Sequence, residues 1–134
     1  MKSTIKQKNR IIVITNLCWQ DASKKRSELV YPYDVAKVTE LDYQEAQEVI
    51  TDLLQSEEYN SLLRMRAKVE YICQDMGYNS REKIDTYLIK NPNIPTKKRL
   101  DYIERWNLND VITSLEIIRE HNSKKLRSQM RASK

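Results

Sequence analysis

The sequence predicts a mostly α-helical protein, a compact bundle of five to six helices. Two observations support this fold class. The chain has one glycine in 134 residues, whereas tight β-turns and phosphate-binding loops use several glycines. Apolar residues also recur at spacings of three and four along most of the chain, which is the period of an amphipathic helix. The scarcity of glycine further excludes a P-loop, a Rossmann fingerprint and a nucleophile elbow.

The N-terminal third of the sequence is ambiguous between helix and strand. Residues 11–15 are β-branched throughout and favour a strand, for which residues 28–31 could be the pairing partner. A helix would instead place Ile11, Ile14 and Cys18 on one face. We prefer the helix because an isolated two-stranded ribbon is weakly stable, and a short N-terminal β-strand or hairpin is the alternative. Residues 20–27 are predicted to form a polar, basic loop.

Two signals define the helices in the middle of the chain. Asp42 and Glu45 have the spacing of a capping box, which predicts that a helix begins there. Residues 57–76 fit both strand alternation and helical spacing, and their content of strong helix formers decides for a helix. Gly77, the only glycine, follows at the position where a left-handed residue commonly ends a helix.

Helix-capping and turn-forming residues divide the part of the chain after Gly77. Asn79 is predicted to cap a helix that ends before the rigid connector of residues 91–95. Thr96 is predicted to cap the next helix, and residues 107–109 are predicted to be the turn before the last one. The predicted organisation therefore has three parts: residues 1–76 with an acidic middle, residues 77–122 with a helix-turn-helix-like corner, and a basic tail at 123–134.

Charge is distributed unevenly along the sequence. Residues 1–31 carry seven basic and two acidic side chains, residues 32–60 carry one and eight, and residues 61–134 carry sixteen and nine. The net charge of +5 is therefore the difference between two basic regions and an acidic one. Basic surface of this kind suits nucleic acid, while the acidic block suits a basic partner.

Three segments have the outline of a helix-turn-helix, which needs a sharp turn between two short helices and polar or basic residues on the second. Residues 34–54 have an acidic second helix, which fits a phosphate-lined groove poorly. Residues 97–119 have Asn107 in the predicted turn. We favour residues 71–90, because Gly77 supplies a left-handed turn. Their Gly-Tyr-Asn-Ser stretch resembles the turn of a helix-turn-helix domain over about 20 residues, with one residue more before Ile84 than the commonest form. An ordinary helical hairpin is the alternative.

The predicted nucleic-acid contacts combine polar residues of that second helix with two basic clusters. They are Asn79, Ser80, Arg81, Lys83, Lys90, Lys97, Lys98, Arg99, Lys124, Lys125, Arg127 and Arg131.

Little in the sequence points to catalysis. One histidine and two cysteines cannot supply a four-ligand structural zinc site, and no serine or cysteine has an identifiable base beside it. We expect no enzyme activity, no metal and no cofactor. No apolar run reaches the length that spans a bilayer, so we expect a cytoplasmic protein without membrane association, in which Cys18 and Cys73 are buried thiols.

The sequence thus favours a small DNA-binding protein that regulates transcription. The alternative is a non-enzymatic helical interaction module, an inhibitor or an assembly subunit, that docks on a basic protein through its acidic segment 34–58, with Glu45, Glu48 and Asp52 as contacts. Either protein could be a homodimer through the seven-residue repeat of apolar residues between Leu62 and Met76. The same repeat fits a core position within one chain.

Overall fold

Helices account for 76% of the residues that the computed structural model describes, which are residues 1–132. Six α-helices occur in this part of the chain, and the predicted bundle of five to six helices is confirmed. They are α1 Ile5–Cys18, α2 Ala22–Val30, α3 Tyr43–Leu54, α4 Glu57–Asp75, α5 Arg81–Lys90 and α6 Arg105–Ala132. Short 3-10 helices lie at Tyr31–Tyr33, Val38–Glu40 and Leu100–Tyr102. The chain divides into two compact units.

The first unit comprises Met1–Leu63 and Glu104–Trp106, with α1 packed against α2 and α3. Helix α1 begins with a capping box between Thr4 and Gln7. The β-branched run lies inside α1, so the N-terminal strand alternative is wrong. Burial explains this outcome, because Ile11 and Ile14 share a buried helical face and tertiary packing overrides strand propensity.

Helix α2 lies where the sequence predicts a loop. Asp21 caps it by accepting a hydrogen bond from the backbone N–H of Lys24 at 3.1 Å, and the helix extends from Ala22 to Val30. The sequence pattern did not predict this helix, because its residues are mostly polar or basic and have little apolar periodicity. Only Val30 of the helix is buried. The capping box of Asp42 and Glu45 at the start of α3 is confirmed, with backbone-to-carboxylate distances of 2.8 and 2.9 Å.

The second unit comprises Arg64–Ile103 and the described residues from Asn107 onward. Helix α5 packs against the 3-10 helix Leu100–Tyr102, where the backbone N–H of Leu100 donates to the carboxylate of Asp85 at 2.9 Å. The core of this unit consists of completely or almost completely buried aliphatic residues. They include Val69, Ile72, Ile84, Leu88, Ile94, Leu100, Ile103, Leu108, Val111 and Leu115.

Two sequence predictions fail in this unit. Residues 97–99 form no helix, and the predicted helix after Thr96 is reduced to the 3-10 helix Leu100–Tyr102. The predicted turn at residues 107–109 lies inside α6, which removes the helix-turn-helix candidate over 97–119. An asparagine inside a helix costs only about 0.7 kcal/mol relative to alanine, and the burial of Leu108 outweighs that cost.

Candidate nucleic-acid interface

The predicted corner around Gly77 lies between α4 and α5. Gly77 has a φ of +100°, and its backbone N–H donates to the carbonyl of Gln74 at 3.0 Å. The next N–H, that of Tyr78, donates to the carbonyl of Cys73 at 2.9 Å. These two bonds form a Schellman motif, which satisfies carbonyls at the end of a helix. The prediction that Gly77 ends one helix and turns the chain towards the next is confirmed.

Helix α5 begins one residue later than the sequence predicts. Ser80 has an extended backbone, and its hydroxyl accepts a hydrogen bond from the N–H of Lys83 at 3.2 Å. Asn79 is therefore not the N-cap. Its side-chain oxygen instead accepts a hydrogen bond from Nζ of Lys83 at 3.2 Å. Both residue types cap helices well, so local sequence alone did not decide between them.

An open groove of about 740 Å³ lies along α5. Tyr78 and Tyr87 line it and stack on each other, with ring centroids 4.3 Å apart and ring planes 25° apart. Burial, with a further contribution from Tyr78, raises the pKa of Tyr87 above its ordinary value. The phenol of Tyr87 therefore stays uncharged at neutral pH. The other lining residues are Gly77, Ser80, Glu82, Lys83, Thr86, Lys90, Asn91 and Pro92.

The groove brings together some of the predicted contact residues and adds others. Ser80, Lys83 and Lys90 are predicted contacts that line it, whereas Tyr78 and Tyr87 were not predicted. A signal for Tyr87 exists in the sequence, because it lies four residues after one lysine and three before the other. That spacing places all three on one helical face.

Arg81, another predicted contact, forms ion pairs within the second unit. Its guanidinium forms ion pairs with Glu70 of α4 and with Asp101, the latter at 2.8 Å. A guanidinium that holds a different carboxylate on each of its two terminal nitrogens has fewer donors left for phosphate. We therefore interpret Arg81 as a side chain that fixes α5 within the second unit. Nothing in the sequence pattern indicated these partners, because they are 11 and 20 residues away.

The Lys97–Lys98–Arg99 cluster lies in the connector after α5, and all three side chains are exposed. Nζ of Lys97 donates to the backbone carbonyl of Asn91, and Asn91 lines the groove. Lys97 therefore adds positive charge next to the residues that line the end of the groove. The connector is irregular at these three residues, so the cluster does not belong to an α-helix.

The basic tail continues α6, and every residue from 120 to 131 is exposed. Lys124 forms an i,i+4 ion pair with Glu120 at 3.2 Å. Spacings of three and four place Lys124, Arg127 and Arg131 on one helical face, whereas Lys125 lies about 100° away. The last two residues of the predicted tail, 133 and 134, lie outside the described residues.

The acidic residues of α3 meet at a tyrosine. The hydroxyl of Tyr33 donates to the carboxylate of Glu48 at 2.9 Å. Burial, the hydrogen bond to Glu48 and the charges of Glu48, Asp52 and Glu45 raise the pKa of Tyr33 to about 12. The structure thus brings together all three residues of the predicted acidic contact. Glu45 also belongs to the capping box of α3, a structural role that the functional interpretation left out.

Cys18 and Cys73 are buried, as predicted. Burial, with the charge of Glu70, raises the pKa of Cys73 to about 11, so its thiol stays protonated at neutral pH and is a poor nucleophile. Over residues 1–132, no group of three or more His, Cys, Asp or Glu side chains is arranged to hold a metal ion. No helix in the same range combines the length and the apolar character needed to cross a bilayer.

Comparison with known proteins adds no further information about the site. No protein-family model, no curated protein sequence and no solved structure matches this chain.

Proposed function

We propose that this protein is a small, non-enzymatic regulator that is located in the cytoplasm and binds DNA. It would contact DNA through α5 and through the basic end of α6. The observation that carries the proposal is the charge of the second unit, whose sequence has fifteen Lys and Arg residues and eight Asp and Glu residues. The first unit has nine and eleven. Positive charge is therefore concentrated in the unit that contains the corner around Gly77.

The exposed end of α6 supports the same proposal. Residues 120–131 carry four basic side chains and one acidic one, and none of these residues is buried. A helical stretch that buries little surface is only marginally stable in water, and neighbouring like charges destabilise it further. Phosphates along a DNA backbone would remove that repulsion. On α5, Lys83, Thr86 and Lys90 are exposed and offer groups for phosphate and base-edge contacts.

The first prediction concerns the dependence of DNA affinity on salt. We expect the protein to bind a fluorescent duplex in anisotropy titrations, with log K falling by about 0.9 per log unit of salt for each neutralised phosphate. Replacing Lys124, Lys125, Arg127 and Arg131 by glutamine should lower that slope by up to about 3.6, because four phosphate contacts are lost.

The matched control removes the same number of exposed charges from the first unit. Its substitutions are K6Q, R10Q, K24Q and K37Q. This variant should keep most of the slope. The proposal fails if random and genomic duplexes both remain unbound at about 50 mM salt, or if the control variant loses as much of the slope as the α6 variant.

A second function has one specific observation in its favour. Tyr33 donates a hydrogen bond to Glu48, and the charges of Asp52 and Glu45 also act on its phenol, which gives the first unit an acidic face. Such a face would suit an interaction module that docks on a basic protein.

A homodimer would need another surface than the apolar repeat of α4, because Leu62, Val69 and Ile72 are buried within the chain.

A further inference from the structure

We infer that the groove along α5 binds one unpaired nucleotide of a DNA strand. Its base would lie against the stacked Tyr78–Tyr87 pair and its phosphate on Lys83 or Lys90. The inference rests on the proposed DNA binding and specifies the form of DNA that this site takes.

The tyrosine pair provides a preformed aromatic surface. The rings are stacked 4.3 Å apart, both line the groove, and both are partly exposed. The Schellman bond from the N–H of Tyr78 to Cys73 and the position of Tyr87 inside α5 hold the two backbones in place. A fixed aromatic ring stacks on a nucleobase with little ordering cost, and it accepts any base because every base has a π-face.

The lysines provide the complementary charge for the phosphate. Lys83 and Lys90 both line the groove and are separated by two turns of α5, about 10.5 Å along the helix axis. The only acidic residue in the described lining is Glu82. The hydroxyls of Ser80 and Thr86 and the amide of Asn91 add hydrogen-bonding groups, which could contact base edges.

The combination of these groups selects a nucleotide over simpler ligands. A free inorganic phosphate would leave the tyrosine pair unused, and a neutral apolar molecule would leave the lysines unused. The volume of about 740 Å³ falls in the range of small-molecule binding sites, and the open side of the groove leaves room for the rest of a strand. Bases of a closed duplex are stacked inside the helix, so only a single-stranded or extruded nucleotide can place its base against a protein ring.

The test compares two DNA strands of equal length and phosphate count, one with bases and one abasic, in anisotropy titrations. The wild-type protein should bind the base-containing strand at least tenfold more tightly. Y87L should reduce that ratio to about one and leave the affinity for the abasic strand unchanged, whereas Y87F should preserve the ratio. K83Q/K90Q should weaken binding of both strands, and the control K24Q/K37Q should weaken neither as much.

The outcomes separate this inference from the DNA-binding proposal. Equal affinity of the wild-type protein for both strands overturns the inference, needs no variant, and leaves phosphate binding by α6 standing. If the protein binds neither strand and no duplex, the inference and the DNA-binding proposal are both overturned. A mononucleotide at the concentration of the strand should not displace it, because it lacks further phosphates. Displacement would assign the groove to a free nucleotide and overturn the strand proposal.

Discussion

A single residue, Gly77, sets the geometry between α4 and α5. Its φ of +100° is strained for any residue with a Cβ atom. No heavy atom lies within 4 Å of the position where a Cβ would be, so the penalty for a side chain would be conformational and not steric. Sequence could predict this position, because the only glycine follows directly on a long helical pattern.

We expect Gly77→Ala to lower the free energy of unfolding by about 1 kcal/mol, because alanine disfavours positive φ. Gly77→Asn should lower it less, since asparagine tolerates left-handed conformations better. Urea denaturation followed by circular dichroism measures both. A Gly77→Ala protein as stable as the wild type would contradict the role of this residue as a helix end.

Burial of Tyr33, together with its acidic neighbours, makes its contribution to the stability of the fold depend on pH. Because its pKa is raised to about 12 from 10.0, the folded protein holds this proton more tightly than the unfolded chain does. Its contribution to stability is complete below pH 10 and is lost as the pH rises to about 12.

Glu48→Gln should lower the pKa of Tyr33 towards its ordinary value, because the substitution removes the charge of Glu48 that disfavours the phenolate. The absorbance titration of the wild type minus that of Tyr33→Phe isolates this one phenol, and the same difference in the Glu48→Gln background gives the shift. Glu28→Gln, on α2, is the matched control. An unchanged Tyr33 titration in Glu48→Gln would refute the interaction. Sequence could not predict it, because the fold joins residues 15 positions apart.

At the scale of elements, the capping box of α3 was predictable, whereas the caps of α2 and α5 and the pattern of burial were not. The capping box that begins α3 lies within four consecutive residues, so the sequence displays it completely. Helix α2 and the unbroken course of α6 through Asn107 depend on contacts with other elements. Lone polar residues inside α6 suggested a turn, yet Leu108 and Val111 are completely buried and keep that stretch helical.

The start of α5 gives a direct test at this scale. Ser80→Ala should lower the free energy of unfolding by about 1 kcal/mol, because the N–H of Lys83 loses its capping partner. Asn79→Ala should have an effect of only a few tenths of a kcal/mol, since it removes one exposed side-chain hydrogen bond. Urea denaturation of the two variants side by side provides the comparison. The reverse order of effects would place the N-cap at Asn79.

For the whole molecule, the net charge of +5 conceals two units of different character. The first unit has a slight excess of acidic residues and the second a large excess of basic ones. The acidic block between residues 32 and 60 was visible in the sequence, and the fold places it in the first unit. The groove along α5 could not be predicted from the sequence, because it depends on Tyr78 of the turn lying beside Tyr87 of the helix.

Reversing the charge of the acidic face tests the protein-docking function separately from DNA binding. If that face docks on a basic protein, Glu48→Lys together with Asp52→Lys should weaken binding of a labelled ten-lysine peptide at least tenfold, because two attractive charges become repulsive. Glu45 is kept, since its side chain belongs to the capping box of α3. The matched control reverses two exposed acidic residues elsewhere, Glu28 and Asp110, and changes the net charge equally. If the wild-type protein ignores the peptide, or if the control weakens binding as much, the acidic face is no docking site and the DNA-binding proposal stands alone.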